Sequence, residues 1–318
     1  MTSRKRLFLL AAATLGTAWS YSSRRMRRWE DTDLAMASKP GREVHVDGVR
    51  LHFVEAGGGP ALLLLHGLNG STFSFRLLMP YLAPHFRTIA LDLKGFGYSD
   101  RPPGGDYSLS EQSRLVAGFL DALGIEKAFV LGHSLGGAVA MRLAVAYPER
   151  VEQLILVSAA DDSELRRGLR SARLIRPLLP VVAAFTLQNQ RFRRVSLRSA
   201  CYDPAFITPE LMEGYLAPTR IRGHLRALGS LMVDRRLDAP LDVASITQPT
   251  LIIWGAADRW MPFVHGEQLR ALIPGAGFVL IEKAGHLVLE EQPQESSRAI
   301  IGFLKGENAE SPPAEVQA

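Results

Sequence analysis

One serine stands in a local pattern that suits nucleophilic chemistry. An apolar run at residues 128–131 is followed by Gly132-His133-Ser134-Leu135-Gly136-Gly137, and a helical pattern begins there. A G-x-S-x-G stretch between a strand and a helix forms a sharp turn that exposes the serine hydroxyl. The helix N-terminus then directs N–H groups at a developing oxyanion. A helix cap is the plainer role for such a serine, but the flanking strand and helix favour Ser134 as a nucleophile.

Two further residues match the partners that a nucleophilic serine needs. A serine hydroxyl needs a general base, and the base needs an orienting carboxylate. Asp258 and His286 follow two successive apolar runs near the end of the chain. The chain order Ser, Asp, His, with each residue on a loop after a strand, is the order expected beside a G-x-S-x-G turn. Asp161 and Asp162 are rival candidates for the acid.

Main-chain N–H groups are expected to form the oxyanion hole. Leu135 directly follows the nucleophile, and the loop His66-Gly67-Leu68-Asn69-Gly70 follows the apolar run Ala61–Leu65. We expect the N–H groups of Leu135 and Leu68 to donate to the oxyanion. A plain strand-to-helix turn is the alternative for the loop.

Side chains beside the predicted acid and base are candidates for a substrate pocket. Trp260, Met261 and Leu287 are apolar neighbours of Asp258 and His286. They predict an apolar pocket, and packing between layers of the protein is an equal alternative. Neither neighbouring histidine is assigned to catalysis. We expect the side chain of His133 to point away from the turn and pack, and that of His66 to shape its own loop by hydrogen bonding.

The elements that must position these residues alternate along the chain. Apolar runs that predict buried strands lie at 49–54, Ala61–Leu65, 88–91, 128–131, 154–157, 250–254 and 278–281. Asp47-Gly48 is a hairpin turn signal between residues 43–46 and 49–54. Helical patterns at 110–123 and Leu135–Ala146 separate several of the strands. Strands that alternate with helices predict an α/β fold with a mostly parallel sheet and helices on both faces.

The order of these patterns predicts how the chain is divided into segments. Residues 43–160 and 247–304 carry the alternating strands and helices. An arginine-rich helical pattern at 161–246 interrupts them and predicts a cap over the sheet. Residues 30–42 are polar and read as a linker. The polar tail at 305–318 predicts disorder.

Taken together, these residues resemble the α/β-hydrolase superfamily in its cap-bearing branch. The resemblance covers about residues 43–304 and includes Asp92-Leu-Lys-Gly95-Phe-Gly97-Tyr-Ser99-Asp100, which is similar to that family's loop after its fourth strand. It implies eight strands with the second antiparallel, a helical cap inserted after the sixth strand, no metal and no cofactor.

The departures from the family narrow the expected reaction. Its epoxide hydrolases and haloalkane dehalogenases use an aspartate nucleophile where this chain has Ser134. Its carbon–carbon bond hydrolases keep the triad and often carry a segment like 258–262. They usually have Asn before the serine and a Gly-Pro-rich oxyanion loop, whereas this chain has His133 and Leu68-Asn69-Gly70.

We therefore predict a serine hydrolase of small apolar or lipid-like carboxylic esters. Carbon–carbon bond hydrolysis of the meta-cleavage product type is the alternative reaction. Peroxidase-like, thioesterase and lyase activities share the same triad. A non-enzymatic ligand-binding protein of the same fold is the alternative of another class, because fold does not fix function.

Composition excludes several other classes of protein. The 318 residues are 47% hydrophobic and 22% charged, which is typical of a globular chain with a sizeable core. Cys201 is the one cysteine, so an intrachain disulfide and a cysteine-based metal cluster are excluded. The net charge is +5, with +6 in residues 1–30, +7 in 161–236 and −8 elsewhere. No basic face falls on the main domain, so we expect no nucleic-acid partner. The oligomeric state stays open.

The N-terminus carries a signal of its own. Residues 7–21 are uncharged and mostly apolar, with three basic residues before them and four arginines at 24–28. As a helix they would span about 22 Å, short of the roughly 30 Å hydrocarbon core, which suits a signal peptide. The arginines oppose translocation and favour an uncleaved anchor, and twin-arginine and mitochondrial signals are further alternatives. We expect membrane association or export through residues 1–29, with the side of the membrane left open.

Overall fold

One eight-stranded sheet organises the molecule. The computed structural model of the chain describes residues 29–37, 39–159, 190–234 and 238–306. The strands are β1 Arg42–Val46, β2 Val49–Ala56, β3 Ala61–Leu65, β4 Arg87–Leu91, β5 Ala128–His133, β6 Val151–Val157, β7 Thr250–Gly255 and β8 Gly277–Ile281. Their order across the sheet is β1-β2-β4-β3-β5-β6-β7-β8.

Strand direction places the predicted catalytic loops on one edge of this sheet. β2 pairs antiparallel with both β1 and β4, whereas β4, β3, β5, β6, β7 and β8 are mutually parallel. Leu65 pairs with Gly132, and Gly132 pairs with Leu156, so β3, β5 and β6 end level with one another. The expected mostly parallel sheet with an antiparallel second strand is confirmed. The loops that follow these strands converge because parallel strands share a carboxyl edge.

Helices cover both faces of the sheet. The helices are α1 Met79–Leu82, α2 Leu109–Ala122, α3 Leu135–Ala146, α4 Gln190–Ala200, α5 Pro209–Leu216, α6 His224–Asp234, α7 Val264–Leu272, α8 Val288–Glu291 and α9 Pro293–Leu304. Side chains of a strand alternate between faces. Leu63 and Leu65 of β3 pack with α2 and α3 in one core, and Leu62 and Leu64 pack with α1 and α9 in the other.

Parts of the predicted organisation lie outside the described residues. Residues 1–28, which hold the predicted signal or anchor, residues 160–189, and most of the predicted tail are among them. The cap therefore stays a prediction; its described part consists of α4, α5 and α6, which we call the insertion helices. Among the described residues, no helix combines the length and the apolar character needed to cross a bilayer.

Candidate active site

Ser134 occupies a strained turn at the junction of β5 and α3. Its backbone angles are φ 51° and ψ −115°, in a region that costs a residue with a side chain about 1–3 kcal/mol. The turn is held by the Ser134 N–H, which donates to the Val157 carbonyl of β6 at 2.9 Å. A Cβ on Gly136 would lie 2.1 Å from the Leu65 carbonyl oxygen, and one on Gly132 would lie 2.3 Å from the Gly136 carbonyl oxygen. Both positions need glycine because the backbones of β3, β5 and α3 meet there.

The predicted base and acid are joined by a hydrogen bond. Asp258 follows β7 and His286 follows β8, and His286 Nδ1 lies 2.8 Å from Asp258 Oδ2. The other carboxylate oxygen accepts the backbone N–H groups of Trp260 at 2.9 Å and Met261 at 2.8 Å. Both side chains are buried. A carboxylate that accepts at Nδ1–H leaves Nε2 of the imidazole as the basic nitrogen. The rival acids Asp161 and Asp162 lie outside the described residues.

The loop that carries His286 is fastened to α4. The His286 N–H donates to the carbonyl of Ala200, the last residue of α4, at 2.6 Å. Glu291 holds the same two segments together, because its carboxylate accepts from Gly285 N at 2.7 Å and from Tyr202 N at 2.7 Å. Burial raises the pKa of Glu291, and these N–H donors oppose that rise. No sequence pattern indicates this role, since Glu291 is far in sequence from Tyr202.

The predicted oxyanion donors border the nucleophile. A Cβ on Gly67 would lie 3.2 Å from Ser134 Cβ, so the loop after β3 passes directly over the serine. Leu68 lines the same cavity as Ser134. Leu135 is the first residue of α3, so its N–H has no partner within the helix.

His66 fixes the shape of this loop, as the sequence predicts. Its Nδ1 lies 2.7 Å from the Gly67 carbonyl oxygen, and its Nε2 accepts the Leu93 N–H at 3.1 Å. Only the neutral ring with the proton on Nδ1 satisfies both contacts. Burial lowers the pKa of His66, which favours that neutral form.

His133 does not point away from the site, contrary to the sequence prediction. Its ring lines the cavity beside Ser134, and its centroid lies 5.0 Å from that of His286. Its Nε2 lies 2.9 Å from the His286 carbonyl oxygen, so the ring donates there and steadies the base. Burial lowers the pKa of His133 to about 3. The sharp turn at Ser134 explains the error, because it brings the preceding side chain round to the same cavity.

Ser134 and His286 open into one cavity of about 430 Å³. Its apolar wall includes all three side chains predicted to contact substrate. That wall is formed by Leu68, Phe192, Leu197, Leu216, Trp260, Met261 and Leu287. The Trp260 ring also stacks near His286, with centroids 5.2 Å apart, and its Nε1 donates to Ser199 Oγ of α4 at 2.9 Å.

The cavity lining also includes polar side chains, which the sequence did not indicate. Tyr215 of α5 lines it and donates its hydroxyl hydrogen bond to the buried carboxylate of Glu290. Arg76 pairs with the same carboxylate. Arg193 of α4 adds a largely buried guanidinium to the lining, and burial lowers its pKa. Within the described ranges, no three His, Cys, Asp or Glu side chains are grouped so that they could hold a metal ion.

Comparisons with known proteins point to one family of enzymes. Residues 60–293 match the family model described as alpha/beta hydrolase fold. The 2-hydroxy-6-oxo-2,4-heptadienoate hydrolase of Pseudomonas putida is 31% identical over 280 residues, which cover 84% of this chain and 97% of that protein. The solved meta-cleavage product hydrolase of Pseudomonas fluorescens IP01 superposes with a TM-score of 0.71 at 27% identity, covering 84% and 98% of the two chains. A thermophilic esterase from Thermogutta terrifontis superposes with a TM-score of 0.69 at 25% identity, covering 85% and 99%.

Proposed function

Because this chain belongs to the α/β-hydrolase fold family, we propose that it hydrolyses carboxylic esters through Ser134, His286 and Asp258. The observation that carries the proposal is the 2.8 Å contact between His286 Nδ1 and Asp258 Oδ2, in a pair whose histidine shares a cavity with Ser134. A base oriented by a carboxylate beside an exposed serine hydroxyl is the arrangement that acyl transfer requires.

The reaction proceeds in two halves. The Ser134 oxygen attacks the ester carbonyl carbon while His286 Nε2 takes the hydroxyl proton. The tetrahedral intermediate collapses, the bond to the alcohol breaks, and His286 returns the proton to the leaving alkoxide. Water then attacks the acyl-enzyme, gives its proton to His286 and releases the acid and free Ser134. Asp258 holds the imidazole tautomer and stabilises the imidazolium in both halves.

The backbone supplies the charge stabilisation in both transition states. The proposed donors are the N–H of Leu68, which lines the cavity with Ser134, and the N–H of Leu135, the first residue of α3. Fixed donors to a developing oxyanion contribute about 3–4 kcal/mol each to lowering the barrier.

The wall of the cavity favours an apolar acyl group. Leu68, Phe192 and Trp260 give it large apolar side chains, and about 430 Å³ is within the usual size range of small-molecule sites. An uncharged aliphatic or lipid-like ester has the matching chemistry.

Carbon–carbon bond hydrolysis is the second candidate, and two observations favour it. The named relatives act on ketones that carry a carboxylate, as the word dienoate states. The guanidinium of Arg193 in this cavity could pair with such a group. The same serine attack on a ketone carbonyl would break a carbon–carbon bond, with a proton delivered to the departing carbon. Against it stand His133 and Leu68-Asn69-Gly70, which depart from the pattern of those hydrolases.

One substrate panel separates the two reactions. The full chain is assayed with p-nitrophenyl esters of increasing acyl length and with a 2-hydroxy-6-oxo-dienoate, whose chromophore is lost on cleavage. We expect turnover of the esters and a chain-length optimum set by the cavity. Ser134→Ala should abolish this turnover. Ser110→Ala, the same change at an exposed serine of α2, should leave it unchanged. Faster cleavage of the dienoate than of any ester would replace the first candidate with the second.

A further inference from the structure

The outward face of α4 combines basic and apolar side chains. The helix, Gln190–Ala200, contains four arginines and no acid. Phe192, Arg193, Ser196 and Leu197 line the cavity. Arg194, Val195 and Arg198 are exposed on the outward face of the helix, and Phe192 lies at its border with the cavity. Phe192 is 51% exposed and Val195 is 66% exposed, which is high for large apolar residues.

The same apolar character continues around the mouth of the cavity. Phe192 contributes both to the exposed surface and to the cavity lining. Trp260 is 46% exposed, lines the cavity and is hydrogen-bonded to Ser199 of α4. Phe263, close to Trp260 in sequence, is also exposed. An exposed apolar group at the rim of a site marks a surface that contacts something other than water.

The first described residues of the chain lie beside this rim. Residues 29–33, which we call the strap, are fastened to the insertion helices. The Trp29 ring lies between two guanidinium groups, 4.5 Å from that of Arg193 and 5.4 Å from that of Arg220. The Glu30 carboxylate accepts the N–H groups of Gly223 at 3.2 Å and Leu225 at 2.7 Å.

The second half of the strap is held equally well. Thr32 exchanges backbone hydrogen bonds with Arg220 and Arg222, at 3.3 and 3.0 Å. Asp33 pairs with the Arg222 side chain at 2.9 Å. These contacts fix the position of the strap next to Arg193, which lines the cavity.

The length of the intervening chain limits how far the apolar stretch of the N-terminus can lie from the strap. Seven residues separate Tyr21, the last residue of that stretch, from Trp29. The eight Cα–Cα steps from Tyr21 to Trp29 span at most about 29 Å when fully extended. Four of the seven are arginines. A membrane that held the apolar stretch would therefore lie within about that distance of the strap, which contacts α4 through Trp29 and Arg193.

We propose that the outward face of α4 and the rim residue Trp260 dock on an anionic lipid bilayer, so that the mouth of the cavity opens onto the membrane. Charge complementarity favours this occupant, since Arg194 and Arg198 are exposed on α4 and the sequence places four arginines at 24–28, just before the strap. Exposed Phe192, Val195 and Trp260 match the interfacial layer, which favours aromatic and aliphatic groups beside cations. The substrate then enters from the lipid.

The docking is independent of the proposed ester chemistry, so each can fail alone. It is tested with the full chain bound to vesicles, using an environment-sensitive NBD label on Val195→Cys. The native Cys201 is fully buried, and burial raises the pKa of its thiol, so it does not compete for the label. The control label is on Glu126→Cys, an exposed site just before β5, at the sheet edge opposite to Ser134.

The label at position 195 is expected to shift to shorter emission wavelength on vesicles that contain phosphatidylglycerol and to be quenched by spin-labelled lipid. The label at position 126 should do neither. Arg194→Gln with Arg198→Gln should lower the docking equilibrium constant about 25-fold, or about 5-fold for each charge. Lys127→Gln with Lys305→Gln removes the same charge from exposed sites near the opposite edge and should leave it unchanged.

Activity adds a second readout. The Arg194→Gln/Arg198→Gln variant should lose hydrolysis of an ester embedded in the bilayer and keep that of a soluble p-nitrophenyl ester. An aqueous emission at position 195 on phosphatidylglycerol vesicles overturns the proposal. So does an emission shift that depends on protein concentration without lipid, because the face would then bind a second copy. An equal shift on purely zwitterionic vesicles removes the anionic requirement and also contradicts it.

Discussion

Replacing the buried His224 with leucine is expected to make the protein more resistant to acid. His224 begins α6 and is almost completely buried, and within the described residues neither ring nitrogen has a hydrogen-bond partner. Burial lowers its pKa from 6.5 to about 3, and the nearby guanidinium of Arg101 adds to the shift. The folded protein therefore keeps this ring neutral at pH values where the unfolded chain protonates it.

The sign and size of the effect follow from that difference. Below pH 6.5 the unfolded state binds a proton that the folded state does not, so stability falls with falling pH until about pH 3. At pH 5, about 1.5 units below the pKa of the ring in the unfolded chain, protonation stabilises the unfolded state by about 2 kcal/mol. Leucine has similar volume and does not titrate, so His224→Leu should cancel that loss. At pH 8 the substitution should change stability by less than about 1.5 kcal/mol.

Urea unfolding of the two chains at pH 8 and pH 5 measures this directly. The difference in unfolding free energy between His224→Leu and the parent should become about 2 kcal/mol more favourable at the lower pH. His85→Leu is the matched control, because it makes the same change at an exposed histidine. A difference that is equal at both pH values would refute the reasoning, since the ring would then not be kept neutral by burial.

Three further predictions concern the site. Asp258→Asn should lower kcat about 10⁴-fold while preserving the fold, because asparagine still accepts the two backbone N–H groups but favours the wrong tautomer of His286; ester kinetics and circular dichroism check both parts. Glu291→Gln should lower kcat about 10-fold and change KM little, since the loop carrying His286 loosens by about 1.5 kcal/mol; a raised KM with unchanged kcat in steady-state kinetics would mean that the residue acts on binding alone. Trp29→Ala should raise KM for soluble esters about 5-fold because Arg193 loses its stacked ring, and Trp29→Phe should restore most of it; unchanged KM in the alanine variant would contradict a positioning role.

Local patterns were enough to predict the sheet and to single out Ser134, Asp258 and His286 as candidates. Continuous apolar runs such as Ala61–Leu65 coincide with a strand because a parallel strand is buried on both faces. The strand–turn–helix around Ser134 and the loops bearing Asp258 and His286 were predicted in the same way. Their roles in catalysis are still predictions, although the structure brings all three to one region.

The features that were missed depend on contacts between distant parts of the chain. Glu291 accepts a hydrogen bond from Tyr202 N, and the Trp29 ring contacts the Arg193 guanidinium, and neither pairing leaves a periodic trace in the sequence. His133 was misassigned for a different reason. The direction of the His133 side chain depends on the backbone angles of the turn at Ser134, where φ is positive. A sequence pattern predicts that turn but does not give its angles. The residues at 30–33, predicted as linker, are tied to residues 220–225, at and just before the start of α6, by side-chain and backbone contacts of the same long-range kind.

The most direct test of the central claim is pre-steady-state kinetics with a p-nitrophenyl ester of the preferred chain length. An acyl-enzyme on Ser134 predicts a burst of p-nitrophenolate close to one equivalent per chain, followed by slower turnover, with both phases lost in Ser134→Ala. A burst or turnover that persists in that variant would contradict the assignment of Ser134 as the nucleophile.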